Sequence, residues 1–171
     1  VMFFSPLIIG GETITRLDIP PSKKVETPDY FSMFMDSYSN LRKWEGNYSY
    51  LPDDKGGETY AGISRNYNPN WDGWEILDQY KKDSVVCWNV YIDAIEPCVI
   101  DYYFSVWMGD KYYLIKDPIV RDYLFDYRNT GTIAYIHLCK VLNEMGYNVC
   151  VSTPLTEDII LVLNTVDQQI F

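Results

Sequence analysis

The chain has 171 residues, of which 47% are hydrophobic and 22% are charged, and its formal net charge at pH 7 is −10. That length suits one domain with a single core. The negative charge argues against nucleic-acid binding and against attachment to an anionic surface, and no stretch approaches the roughly 18 uncharged apolar residues of a membrane helix. We therefore expect a globular domain with no nucleic-acid partner and no membrane span.

Residues 1–26 lack the periodicity of a helix or a strand. Gly10-Gly11 and Pro20-Pro21 interrupt every apolar pattern in this stretch. We interpret it as an extended N-terminal arm, with Ile14 and Leu17 among its possible anchors. Such an arm would suit docking to the domain itself or to a larger assembly.

A helix is predicted to begin after Thr27 and to end at Glu45. The run Thr27-Pro28-Asp29 supplies an N-cap, a proline at the first helical position and an acid in the first turn. Apolar side chains then recur at helical spacing, at Phe31, Phe34, Tyr38 and Leu41. Glu45 is the next position on this stripe, and Gly46 is the expected C-terminal cap.

Glu45 is thus expected in the last turn of the helix, on the face that points into the protein. Burial against aromatic side chains and the negative end of the helix dipole both disfavour a carboxylate there, so we expect a raised pKa. A carboxylic acid of that kind can donate a proton near neutral pH. The alternative interpretation is an ordinary glutamate in contact with solvent.

Residues 46–70 have the chemistry of turns and strands rather than helical periodicity. Gly56 and Gly57 permit a tight turn and a close approach of a ligand, and Asp54 and Thr59 stand on either side of them. We expect a glycine-rich hairpin that folds back over Glu45 as one wall of a cleft. It would carry a second carboxylate and a hydroxyl toward the first carboxylate.

The rest of the chain has mostly helical periodicity. We predict helical structure over residues 71–108 with breaks at 82–84 and at Pro97, a short helix from Pro118 to Tyr127, a helix from Thr130 to Met145 closed by Gly146, and a last helix from Thr153-Pro154 to about Gln168. Val85, Trp88 and Ile92 are assigned to apolar helix faces. The predicted fold is mainly α, of the α+β kind, with one small β-hairpin.

The residues around Glu45 resemble the signature of glycoside hydrolase family 108. Those that match are Glu45, Gly46, Tyr48, Pro52, Asp54, Gly56, Gly57, Thr59, Gly62 and Ile63. The resemblance implies a lysozyme-like fold and the activity of an N-acetylmuramidase of the phage endolysin type. Residues 27–171 would form the muramidase domain, and about 118–171 weakly resembles a peptidoglycan-binding helical segment.

Two regions qualify the resemblance. Asn47 stands where the family usually has a second glycine. Asp126, Asn129 and Gly131 resemble a later helical motif of the family, but the rest of the C-terminal half is similar at the level of the fold alone.

Glycoside hydrolysis needs a proton donor at the leaving oxygen and a placed water or nucleophile. Glu45 is the predicted general acid, Asp54 the predicted second carboxylate, and Thr59 a candidate holder of the water. Asp54 could instead bind its own backbone, and Thr59 could be an ordinary strand residue. Aromatic and amide side chains that could contact sugar rings are Tyr48, Tyr60, Tyr103, Trp107 and Asn129.

Other enzyme classes fit the composition less well. A zinc hydrolase usually needs two or more histidine ligands, and the chain has only His137. In the predicted helix, Cys139 would face away from His137, which argues against a Cys-His peptidase. No cofactor or metal is expected. Cys139 and Cys150 are one possible disulfide, and four reduced thiols are the alternative, whereas Cys87 and Cys98 would be too far apart along one helix.

We therefore predict a hydrolase of the β-1,4 bond between N-acetylmuramic acid and N-acetylglucosamine, whose partner is the glycan strand of peptidoglycan. The resemblance implies phage-associated or bacterial cell-wall lysis, with action in the periplasm or outside the cell, or as part of a virion. Two alternatives stay open. One is a lytic transglycosylase, and the other is a non-catalytic wall-binding or virion structural protein on the same fold.

Overall fold

The structure is a computed structural model that describes residues 28–128, 132–149 and 155–166. In these residues the chain forms six α-helices: α1 (Tyr30–Arg42), α2 (Gly73–Asp83), α3 (Glu96–Gly109), α4 (Pro118–Arg128), α5 (Thr132–Glu144) and α6 (Glu157–Leu163). Two short 3₁₀ helices, Asp93–Ile95 and Tyr112–Leu114, precede and follow α3. The prediction of a mainly α fold with a small β element is confirmed. Within the described residues, no helix is both long and apolar enough to span a bilayer.

Helix α1 is shorter than the sequence predicts. Asp29, rather than Thr27, is its N-cap, and the Asp29 carboxylate accepts a hydrogen bond of 3.1 Å from the Ser32 amide. The helix ends at Arg42, so the predicted end at Glu45 and the predicted cap at Gly46 were wrong. The Glu45 amide nevertheless donates to the Leu41 carbonyl at 3.2 Å, which ties this residue to the last turn of the helix.

A three-stranded antiparallel sheet follows α1. Its strands are β1 (Tyr48–Ser49), β2 (Thr59–Tyr60) and β3 (Ile63–Ser64), in the order β1-β2-β3. Ala61 and Gly62 connect β2 to β3 as a two-residue turn, and both have positive φ, 48° and 75°. Two positive φ values are typical of the turn whose twist matches that of the flanking strands. The predicted hairpin therefore exists, with a third strand beside it.

The core beneath the sheet is built from aromatic rings. Phe34 and Tyr38 of α1 pack against each other, with 5.4 Å between ring centroids. Trp107 of α3 and Phe125 of α4 meet Phe34 edge to face at 6.1 and 6.3 Å. Helix α1 therefore packs against both α3 and α4.

Residues 84–92, which we call the 84–92 loop, are not helical. Helix α2 ends at Asp83, and Ser84 is extended with φ −150° and ψ 152°. Asn89 has a left-handed φ of 57°, which a helix does not accommodate. The prediction of an apolar helix face here was wrong for Val85 and Trp88, which are 88% and 66% exposed. The predicted breaks at residues 82–84 and at Pro97 coincide with the end of α2 and the start of α3.

The C-terminal helices join the same core. Helix α4 begins at Pro118 as predicted, and Gly146, with φ 93°, closes the turn after α5. The Tyr147 amide donates to the Leu142 carbonyl at 3.0 Å across this cap. Helix α6 is capped by Thr156 and ends at Leu163, which is earlier than predicted. The predicted start at Thr153-Pro154 and the N-terminal arm of residues 1–26 lie outside the described residues.

The cysteines occupy three different environments. Cys87 is an exposed free thiol in the 84–92 loop, and Cys98 is a partly buried free thiol in α3, so these two do not share a helix. Cys139 is buried in the core. Cys150 lies outside the described residues, and the pairing predicted for it stays a prediction.

Candidate active site

Arg42, the last residue of α1, fixes the backbone that carries Glu45. Its Nη1 donates to the carbonyl oxygens of Glu45 at 2.8 Å and Gly46 at 3.2 Å. Its Nη2 donates to Oδ1 of Asn47 at 2.7 Å. A single guanidinium therefore binds three consecutive residues in the segment after the helix, which restricts where the Glu45 side chain can point.

Glu96, at the start of α3, holds Arg42 from the other side. The Arg42 Nε and Nη2 donate to the two Glu96 carboxylate oxygens, each at 3.2 Å. Tyr38 donates its hydroxyl to Glu96 Oε1 at 2.6 Å, and burial followed by the Glu96 charge raises the pKa of Tyr38 above its usual range. All the donor directions of the guanidinium are thus used, which makes Arg42 a rigid link between α1, α3 and the Glu45 segment.

The Glu45 side chain is partly buried and lies against the turn between β2 and β3. A β-carbon added at Gly62 would be 2.5 Å from Glu45 Oε2 and 2.7 Å from the Tyr103 hydroxyl oxygen. Only a glycine leaves room for both groups at this point. Tyr103 donates its hydroxyl to the Ala61 carbonyl at 2.8 Å, and burial, then the nearby Glu45 charge, raises its pKa.

Glu45 opens onto a cavity of ≈ 360 Å³ that we call the hairpin cavity. Its lining residues are Glu45, Gly46, Asn47, Tyr48, Ser49, Thr59, Gly62, Trp88 and Asn89. Three of the predicted site residues, Glu45, Thr59 and Tyr48, therefore line the same cavity. Thr59 lies on β2 directly opposite Ser49 of β1.

Tyr48 is held by an ion-pair network behind the hairpin. Its hydroxyl donates to Glu58 Oε1 at 2.8 Å, and burial together with this bond raises the pKa of Tyr48 to about 12. Glu58 is paired with Lys81 of α2 and with Arg65, whose Nε is 2.9 Å from Glu58 Oε2. Arg65 also forms two hydrogen bonds with Asp78, at 2.7 and 3.0 Å. Sequence reasoning missed this network, because its members are scattered in the chain and carry no motif.

Asp54 lies in the exposed loop between β1 and β2. Its Oδ1 accepts a hydrogen bond of 2.8 Å from the Gly56 amide, and its carbonyl accepts one of 2.9 Å from the Gly57 amide. Asp54 therefore stabilises its own turn, which is the alternative role that the sequence analysis left open for it. Asp54 does not line the hairpin cavity.

The remaining aromatic candidates are core residues. Tyr60 and Trp107 are fully buried, and the Tyr60 hydroxyl accepts a 2.8 Å hydrogen bond from the Ile92 amide. A buried ring offers no surface to a sugar, so the structure corrects the expectation that these two contact substrate. Tyr103 is 2% exposed and supports Glu45 from behind. Asn129 lies outside the described residues.

The 84–92 loop joins the site through a pair of asparagines. The Asn47 amide donates to Asn89 Oδ1 at 2.8 Å, and Asn47 Nδ2 donates to the Asn89 carbonyl at 3.2 Å. The Asn89 amide donates to the Tyr48 carbonyl at 2.7 Å. Asn47 is not among the residues with positive φ, so no glycine is needed at its position. Its side chain is instead the link between Arg42 and the loop.

A second cavity of ≈ 630 Å³, which we call the helix cavity, borders the same segment. It is lined by Arg42, Lys43, Trp44, Glu45, Gly46, Asn47, Asn89, Tyr91 and Glu96. Sequence reasoning did not assign Trp44, Trp88 or Tyr91 to the site. No group of three or more histidine, cysteine, aspartate or glutamate side chains in the described part of the chain could hold a metal ion.

One of the comparisons with known proteins finds a family. The family model described as glycosyl hydrolase 108 matches residues 38–127, which is more than half of the chain. The matched range contains Arg42, Glu45, the hairpin and the 84–92 loop. No curated protein and no solved structure matches the chain.

Proposed function

This chain belongs to glycosyl hydrolase family 108, and on that premise we propose that it is an N-acetylmuramidase. The family implies a peptidoglycan hydrolase. The bond that we assign to it is the β-1,4 linkage between N-acetylmuramic acid and N-acetylglucosamine. The observation that carries the proposal is the Glu45 carboxylate, held against Gly62 at the mouth of a cavity that also contains Thr59.

Glu45 is the proposed general acid. It would protonate the glycosidic oxygen as the bond to the anomeric carbon breaks, because a sugar alkoxide is a poor leaving group without a proton. Fixing of its backbone by Arg42 and packing of its side chain against Gly62 support this role, since a proton donor must be held within hydrogen-bond reach of one particular oxygen.

Thr59 is the proposed holder of the attacking water. Its side chain shares the hairpin cavity with Glu45, whereas the Asp54 carboxylate accepts a hydrogen bond within its own loop. We therefore propose that Asp54 stabilises the turn of the hairpin and that Thr59 binds the attacking water. The sequence had instead ranked Asp54 above Thr59 for catalysis. The water adds its oxygen to the anomeric carbon and its proton leaves to solvent or to a neighbouring base.

Tyr48 and Tyr103 support the cavity in different ways. Tyr48 lines it, and the Glu58 bond keeps its ring in place. Lys81 Nζ lies over this ring, 5.5 Å from its centroid, so the ring face turned away from Lys81 is the proposed contact for a sugar. Tyr103 is a positioning residue, because its buried hydroxyl binds the Ala61 carbonyl in the turn against which Glu45 rests. The biological setting that we propose, from the family resemblance, is phage-associated or bacterial cell-wall lysis.

Mass spectrometry of the soluble fragments released from purified peptidoglycan tests the proposal. We expect fragments with reducing N-acetylmuramic acid ends, because each hydrolytic cleavage adds one water across the glycosidic bond. Fragments with anhydro ends would identify a lytic transglycosylase instead. Release of no fragment from walls of several bacterial types, by a folded protein, would contradict the enzymatic function and favour a wall-binding or structural protein.

A further inference from the structure

Two exposed tryptophans line the two cavities that Glu45 also lines. Trp88, in the 84–92 loop, is 66% exposed and lines the hairpin cavity. Trp44, the residue before Glu45, is 84% exposed and lines the helix cavity. Indole rings are seldom left this open to water, so two of them bordering a carboxylate call for a ligand that covers them.

The two cavities share the lining residues around Glu45. Both are lined by Glu45, Gly46, Asn47 and Asn89. Each has a volume within the range of ligand sites, at ≈ 360 and ≈ 630 Å³. A chain-like ligand that enters one cavity and leaves by the other would therefore pass the carboxylate, with one tryptophan at each end of its path.

We propose that Trp88 and Trp44 are sugar-binding platforms that hold a β-1,4-linked N-acetylhexosamine chain on the two sides of the bond to be cut. A pyranose ring presents a face of C–H groups that packs flat on an indole, while its hydroxyl and amide groups stay available to polar partners. This inference rests on the proposed function, since it names the binding surface of the same site. Neither tryptophan belongs to the sequence motif around Glu45.

The backbone next to each tryptophan is already fixed. Asn89, the neighbour of Trp88, makes three hydrogen bonds with Asn47 and Tyr48, and its left-handed conformation turns the loop at this point. The Trp44 amide donates to the Leu41 carbonyl at 3.0 Å. Little backbone order has to be acquired on binding, so stacking on these rings would cost little conformational entropy.

Tyr91 gives the helix cavity a second aromatic side chain, which is 51% exposed. Arg42, Lys43 and Glu96 supply polar groups around the same cavity. This combination of apolar ring faces and convergent polar groups is typical of carbohydrate and other small-ligand sites, and it is unlike a flat protein interface of uniform apolar character.

The test measures binding without turnover, in a Glu45→Gln background. The probe is N-acetylchitopentaose, a soluble β-1,4-linked oligomer of N-acetylglucosamine, and binding is followed by calorimetry. We expect Trp88→Ala and Trp44→Ala each to raise the Kd about tenfold, an effect of about 1.4 kcal/mol. Tyr123→Ala is the control, because Tyr123 is 61% exposed on α4 and lines neither cavity, and its Kd should equal that of the background.

Hydrolysis of peptidoglycan by the wild-type protein is measured in parallel, so that the two proposals fail separately. The proposed role of the two tryptophans would be overturned if both variants bound the oligomer with unchanged affinity, or if the Glu45→Gln protein did not bind it at all. Either result would count even if the wild type cuts peptidoglycan. Weakened binding in the variants supports the platforms even if no fragment is released. If either variant had a lower molar mass by light scattering and an unchanged affinity, the tryptophans would form an interface between copies of the chain and would not bind sugar.

Discussion

The Glu45 carboxylate fills the space that a side chain at residue 62 would need. A β-carbon on Gly62 would lie 2.5 Å from Glu45 Oε2 and 2.9 Å from Glu45 Cδ. The backbone of Gly62 also has a φ of 75°, which favours glycine independently of the space. One glycine therefore joins the turn of the sheet to the proposed acid, and this contact explains why a motif around Glu45 extends as far as β3.

Gly62→Ala should damage activity more than stability. The new methyl group must displace the Glu45 carboxylate or the Tyr103 hydroxyl, and a misplacement of about 1 Å can lower kcat about a hundredfold. The left-handed backbone adds a loss of roughly 1–2 kcal/mol in the free energy of unfolding. Steady-state hydrolysis of peptidoglycan and chemical denaturation measure the two effects.

Gly109→Ala is the matched control for that substitution. No atom lies within 4 Å of a β-carbon placed at Gly109, which is the last residue of α3. Alanine should leave kcat unchanged there and should not lower stability. Equal losses of activity in the two alanine variants would contradict the role given to Gly62.

Arg42→Lys should lower kcat about tenfold to a hundredfold with little change in KM. A lysine keeps the charge opposite Glu96, but one ammonium group cannot bind Glu96, the Glu45 carbonyl and Asn47 at the same time. Lys140→Gln is the control, since Lys140 is 72% exposed on α5 and lines neither cavity, and it should leave kcat unchanged. A kcat for Arg42→Lys equal to that of the wild type would show that the guanidinium fork does not position Glu45.

Thr59→Val should lower kcat about a hundredfold, because valine keeps the shape of the side chain and removes the hydroxyl that we assign to the water. Thr59→Ser keeps the hydroxyl and should retain most of the activity. Initial rates of reducing-end release measure both variants. Wild-type kcat in the valine variant would remove Thr59 from the mechanism.

Asp54→Asn separates the two roles considered for Asp54. Asparagine retains the oxygen that accepts from the Gly56 amide, so the turn should survive and kcat should stay close to that of the wild type. Asp54→Ala removes the acceptor and should lower the melting temperature. If Asp54→Asn instead lost activity about a hundredfold, the negative charge would be required and Asp54 would regain the role of a general base.

Asp78→Asn should lower stability at neutral pH and have no effect at strongly acidic pH. The Arg65 hydrogen bonds lower the pKa of Asp78 below its ordinary value of 3.8. Stability from a lowered carboxyl pKa is present above the unfolded-state value and disappears as the pH falls through the folded-state value. Because the Asp78 side chain is 49% exposed, the effect at pH 7 should be only about 0.5 kcal/mol.

Thermal unfolding of both proteins from pH 7 down to pH 2 measures this difference. Asp36→Asn is the control, since Asp36 is exposed on α1 and its replacement should leave the melting temperature unchanged at every pH. A gap in melting temperature that persists unchanged below the folded-state pKa of Asp78 would show that the Asp78 charge is not its source.

The position of Glu45 beside the hairpin was predictable because both are local in the sequence. Glu45, Thr59 and Gly62 lie within one short segment, and glycine-rich turn chemistry indicates that such a segment folds back on itself. The end of α1 was predicted three residues late, since apolar periodicity continues to Glu45 whereas the helical backbone ends at Arg42. Helix ends depend on capping geometry that periodicity does not contain.

The residues that complete the site were harder to predict because they depend on tertiary contacts. Val85, Trp88 and Ile92 have spacings compatible with a helix, and the left-handed Asn89 that breaks this pattern is held by Asn47 from another part of the chain. Tyr60 was predicted to contact a sugar because it is an aromatic residue within the predicted hairpin. Strand alternation instead turns Tyr60 into the core and Thr59 toward the cavity.

The rate of peptidoglycan hydrolysis by Glu45→Gln tests the central proposal most directly. Glutamine keeps the size of the side chain and removes the transferable proton, so we expect kcat to fall about a thousandfold while the melting temperature stays close to that of the wild type. Glu75→Gln, at an exposed position in the first turn of α2, should retain full activity. A Glu45→Gln protein that hydrolyses peptidoglycan at the wild-type rate would contradict the assignment of Glu45 as the general acid.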